Sequence, residues 1–140
     1  METGSVLDAI GGFIAHLKLF AAKLPDIVHF AVMPTGMKPK LESIEDYEEL
    51  VSRFRGMSGT TAYKMLNGFF VESLEAFEVG NLLGAVHPLL AALDHIERMH
   101  QDREIAIGAP DEKRITEYRQ ALHKILPGNK PELDGAGRGI

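Results

Sequence analysis

Apolar residues recur along this chain at helical spacing nearly throughout. In the first segment Val6, Ile10, Phe13, Leu17, Phe20 and Leu24 follow one another at steps of four and three, with Leu7, Ile14 and Ala21 in a second line beside them. So wide a stripe predicts a helix from about Gly4 to Leu24 with one face against a core. Gly11 and Gly12 weaken its middle, each at a cost of about 1 kcal/mol relative to alanine, and Pro25 ends it. Residues 26–33 have the length of one short further helix. MPTGMKPK (33–40), with Pro34, Gly36 and Pro39, reads as a loop.

The next helix is predicted from its cap. Ser43 followed by Asp46 is a variant of the capping box. Glu45, Asp46, Glu48 and Glu49 crowd its start while Arg53 and Arg55 lie near its end, so both charges complement the helix dipole. Tyr47, Leu50, Val51 and Phe54 form the buried face, and Gly56 is the expected stop. Ser58 then caps a helix whose stripe is Tyr63, Leu66, Phe70, Leu74 and Phe77. The phase fails at Gly80-Asn81, a good C-terminal stop followed by a good N-cap.

Beyond that break Leu82, Val86, Leu89, Leu93 and Ile96 keep strict four–three spacing. Pro88 lies inside this seam. Either it kinks a helix that runs through it, or the helix starts at Pro88 with His87 as cap; the unbroken phase favours the first. GAPDE (108–112) opens the last helix, whose face is Ile115, Tyr118, Leu122 and Ile125. No alternating run is long enough for a strand. The fold class is therefore all-α: a single-domain bundle of five or six helices over residues 1–126, around a central helical hairpin from about Ser58 to Glu104. The polar, glycine-rich 127–140 is expected to be a flexible tail.

Charge sharpens this picture. Net charge is −5, and between Lys64 and Arg98 there is no lysine or arginine. The centre of the chain is thus its most apolar part, to be covered by the other helices, by a second copy of the chain, or by both. The acidic balance argues against a nucleic-acid partner. The absence of cysteine excludes disulfides, thiolate metal sites and a cysteine nucleophile. The longest charge-free stretch, Val79 to Leu93, is too short for a bilayer, and the N-terminal segment has no basic region before its apolar run. The expectation is a cytoplasmic protein without a membrane partner.

Candidate chemistry concentrates in HPLLAALDHIERMH (87–100). His87, His95 and His100 point in different directions on one straight helix. Glu97, His100 and Glu104 share a face. Glu97 and His100 form a Glu-x-x-His element of the kind that sets a carboxylate and an imidazole toward one metal in helical di-iron sites. A second copy of the chain, with Glu75 or Glu78, would have to complete such a site for iron, manganese or zinc. The plainer reading leaves these groups on a solvated helix end, with Asp94 paired to Arg98.

His16 in AHLKLF stands in a context loosely like a phosphotransfer histidine, but Leu19 and Phe20 occupy positions where a small residue is needed; His29 is isolated. RGMSGTTAYKMLNG (55–68) has some features of a helix-turn-helix, offering Thr60, Thr61, Tyr63, Lys64 and Asn67 to bases. The helix before it, however, is acidic. Met57, Met65, Phe69 and Phe70 could flank a small apolar ligand, although such residues are more often core. No nucleophile elbow or phosphate-binding glycine pattern is present.

The leading expectation is a non-enzymatic interaction or accessory protein, with no catalytic residues and no cofactor, that binds another protein and associates with itself as a homodimer through Leu82, Val86, Leu89, Leu93 and Ile96. The alternatives are metal binding by Glu97, His100 and Glu104, and DNA binding through residues 55–68.

Overall fold

The computed structural model describes residues 2–22, 38–59 and 61–125. Five helices make up the bundle: α1 (Thr3–Ala21), α2 (Leu41–Ser58), α3 (Asn67–Glu78), α4 (Leu82–Gln101) and α5 (Ala109–Ile125). No strand occurs among the described residues. The short helix expected at 26–33, His29, most of the 33–40 loop and the 127–140 tail lie outside them.

Side-chain pairs fix the helix directions. Phe13 meets Tyr47, and Gly12 lies under Leu50, so α1 and α2 run antiparallel. Phe54 meets Phe70 and Tyr47 stacks on Phe77, which sets α3 antiparallel to α2. Phe69 lies beside His95, and Ser73 beside Ala85, on α3 and α4. Arg119 reaches back to Asp94 and Glu97 on α4. Each helix thus reverses its predecessor. The ring closes because α5 returns beside α1, parallel to it, with Arg114 on Asp8 and Tyr118 over Gly11.

The predicted stripes fill the interior. Val6, Leu7, Ile10, Phe13 and Leu17 of α1 are buried, as are Tyr47, Val51 and Phe54 of α2. The seam Leu82, Val86, Leu89, Leu93 and Ile96 is wholly enclosed by its own chain, chiefly against α3. By length and composition α1 could cross a membrane, a test that a buried core helix also passes.

Several boundaries differ from expectation, each for a local reason. α2 starts at Leu41 rather than after Ser43. Extended Lys40, following Pro39, offers its carbonyl to the Ile44 N–H at 3.0 Å, and no side-chain cap is made. Nor does Gly56 end α2, because the buried Ser58 holds the next turn; reversal comes at Gly59, with φ +47°. A Cβ on Gly56 would meet nothing within 4 Å. Gly56→Ala is therefore expected to stabilise the protein by about 0.5–1 kcal/mol, seen as a higher urea midpoint at unchanged m.

Ser58 does not cap a long third helix. Thr61 caps a 3-10 turn, Ala62–Leu66, by accepting the Tyr63 N–H, and α3 begins only at Asn67. At the hairpin corner the expectation holds. Gly80 has φ +76°, and the Asn81 side chain accepts the Gly84 N–H at 2.9 Å. α4 then runs unbroken through Pro88. Proline removes one donor and crowds the preceding turn. On that turn the Ala85 carbonyl accepts a hydrogen bond from Ser73 Oγ at 2.7 Å.

Candidate functional site

The residues singled out for metal chemistry do not converge. Glu97 is engaged by Arg119, whose other nitrogen holds Asp94, so Asp94 pairs across to α5 rather than with Arg98. Partial burial works against the Arg119 charge; the hydrogen bond from Arg119 to Asp94 and the nearby Glu97 outweigh it and raise its pKa above the ordinary arginine value. His100 turns its Nδ1 to Glu112 on α5, 3.4 Å away. Glu104 lies past the end of α4, exposed, in the turn that follows Arg103. Helical periodicity had aligned Glu104 with His100; the helix stops at Gln101 and removes that alignment. Among the described residues no three histidine or carboxylate groups are placed to hold a metal ion. What Asp94, Glu97 and His100 do is latch α4 to α5.

The other candidates are also accounted for by position. Tyr63 is buried, with its hydroxyl 2.5 Å from Thr3 Oγ1. Asn67 donates to Ser58 Oγ and Thr61 serves as a cap. Of the described residues suggested for reading bases, only Lys64 projects freely from the 3-10 turn. Met57 and Met65 are exposed while Phe70 is fully buried, so the four proposed ligand-flanking residues line no common cavity. His16 is half-buried, with Nδ1 unpartnered and its ring 6.2 Å from Tyr47.

A different surface emerges on the outer side of α1. There α1 is recessed between α2 and α5. A Cβ on Gly11 would stand 2.6 Å from the Tyr118 hydroxyl, and one on Gly12 would stand 3.0 Å from Leu50. The two glycines that weaken the helix thus admit its neighbours' side chains. Two clefts follow, one on each flank of α1. The larger, about 530 Å³, lies toward α5 and is lined by Gly11, Ile14, Ala15, Tyr118 and Ala121 with Lys18, Arg114 and Glu117 at its rim. The smaller, about 210 Å³, lies toward α2 between Ser5, Ala9, Leu50, Arg53 and Met57. Asp8 borders both, and Arg114 holds its carboxylate at 2.7 Å.

At the C-terminal end of this face Leu19 is 60% exposed, and at the other end Met57 is 46% exposed. Sequence reasoning missed the surface because it treated Gly11 and Gly12 only as a cost. A signal was there: Ser5, Asp8, Gly12, Ala15 and Leu19 recur at helical spacing on the side opposite the apolar stripe, and all but Asp8 and Leu19 are small.

A further cleft of about 460 Å³ opens at the end of the bundle between Thr3, Thr61, Tyr63, Ile105 and the acids Glu2, Glu104 and Asp111. No side chain there is arranged as a nucleophile with a base. No protein-family model, curated protein or solved structure matches the chain.

Proposed function

We propose that the protein acts without catalysis, by binding another protein on the outer face of α1. The observation that carries this reading is the paired clefts around the recessed helix. Half-buried Leu50 and Tyr118 and exposed Ala15, Leu19 and Met57 give the face an apolar middle, and Asp8, Lys18, Arg53, Arg114 and Glu117 ring it. An apolar centre within a charged rim is the usual anatomy of a protein interface. A helix laid along α1 would complete the surface as a sixth element, its apolar side over Ala15 and its polar side to solvent.

The test is cross-linking in the producing cell. A photoreactive residue placed at the exposed Ala15 is expected to yield a discrete protein adduct, identifiable by peptide mass and lost when Leu19 is also changed to Glu. The same residue placed at Glu75, on the far side of the bundle, should give none. A chain that forms no adduct from position 15, or equal adducts from both positions, does not use this face.

A further inference from the structure

We infer that the occupant of the α1 face is a second copy of this chain, docked about a two-fold axis with the two α1 helices antiparallel. This rests on the reading of that face as a docking surface and names its partner.

The face is complementary to itself. Its projecting side chain, Leu19, stands at one end, and its smaller cleft, between Ser5, Ala9, Leu50 and Met57, stands at the other. A two-fold axis across α1 at the level of Phe13 carries Leu19 of each copy to the level of Leu7 in the other, over that cleft. The same operation sets Lys18 opposite Asp8, beside Glu117. Among the described residues no carboxylate pairs with Lys18, and Asp8, although bonded to Arg114, keeps a side chain 75% exposed. Ala15 comes opposite Gly11 and meets the Tyr118 side chain that packs there. A knob, its socket and one charge pair are thus satisfied together by one symmetry operation, as an isologous contact requires.

Charge disfavours self-association through two of the other surfaces. The outer sides of α2 and α3 expose Glu45, Glu48, Glu72 and Glu75. Two copies meeting there would bring like charges together, which opposes association. The rim of the α1 face carries both signs and can meet its own image.

The helix is about 28 Å long at 1.5 Å per residue. With neighbours 8–10 Å away on each side, the face offers roughly 600 Å² per copy. That is below the ~800 Å² of a standard stable interface, so the dimer is a weak one that forms and dissociates with concentration.

Sedimentation equilibrium of the full chain, from about 1 µM to 1 mM, tests this directly. The expected result is the mass of one chain at the dilute end and of two at the concentrated end. Leu19→Glu and Lys18→Glu, both at exposed positions, should each weaken association at least about tenfold with an unchanged circular dichroism spectrum. Glu75→Lys should leave it unaltered. A single-chain mass at every concentration overturns the inference, as does a dimer indifferent to either α1 variant or sensitive to the Glu75 control. The two proposals fail separately. A monomeric chain whose position-15 adduct is a different protein loses only the second copy; a chain with no adduct there loses the docking face as well.

Discussion

Phe13→Ala is expected to lower the unfolding free energy by about 3–5 kcal/mol, the range for truncating a buried aromatic. Phe13 is fully buried, and its ring lies 4.7 Å from Tyr47 and 4.9 Å from Phe70, centre to centre. Those rings belong to α2 and α3, and each passes the contact on: Tyr47 to Phe77 at 4.6 Å and Phe70 to Phe54 at 4.7 Å. Removing Phe13 therefore takes away ring contacts with two neighbouring helices at once, beyond its own transfer from water. The cavity cannot collapse easily, since the surrounding rings are held by one another. A domain of this size has about 5–15 kcal/mol in total, so the variant should unfold at much lower urea while keeping its helical signal in buffer. A loss below about 1.5 kcal/mol would mean that the aromatic cluster is not packed as described.

The same cluster shows what the amino-acid pattern could and could not reveal. Phe13, Tyr47, Val51, Phe54, Phe70, Phe77 and the α4 seam all follow from apolar spacing, because a helix in a small bundle must bury one stripe. Element existence and the hairpin corner at Gly80-Asn81 were legible for the same reason: both depend on residues close in sequence. Helix ends were less so. Ser43 and Gly56 have the right chemistry for a cap and a stop, but the extended Lys40 opens α2 before Ser43 and the buried Ser58 carries it past Gly56.

The polar pairings were least legible. Asp94 has Arg98 four residues away, the pairing local rules favour, yet it is held by Arg119 from α5. Only the packing of α4 against α5 brings that guanidinium within reach. The Glu97–His100 pattern likewise reads as a ligand element until Arg119 and Glu112 are placed opposite it. The α1 face was hidden differently: its apolar knob, its glycines and its flanking clefts come from three helices, and no single stretch of sequence carries them.

The buried hydroxyl chain supplies the second large effect, and its direction can be derived. Ser73 Oγ lies 2.7 Å from the Ala85 carbonyl oxygen, which can only accept, so the serine proton is spent there. The 2.5 Å contact between Tyr47 and Ser73 must then be the phenol donating to the serine oxygen. Two substitutions that delete the same contact should consequently differ in cost. Tyr47→Phe removes a donor and leaves Ser73 bonded to Ala85, for a loss of about 0.5–1.5 kcal/mol. Ser73→Ala strands the Tyr47 hydroxyl in the core, strips a partner from the Ala85 carbonyl beside Pro88, and should cost about 2–4 kcal/mol.

Alkali separates the two residues' roles. Burial pushes the Tyr47 hydroxyl well above the ordinary tyrosine value. The unfolded chain releases that proton near pH 10 while the folded chain retains it. Over that interval the unfolded state binds fewer protons, so stability falls as pH rises. Below the unfolded value the contribution is fully present. Tyr47→Phe should flatten the decline in urea midpoint between about pH 9 and pH 11, whereas Ser73→Ala, which keeps the buried phenol, should not. Equal costs for the two variants at neutral pH would point the serine hydroxyl at the Tyr47 oxygen rather than at the Ala85 carbonyl and undo the assigned direction.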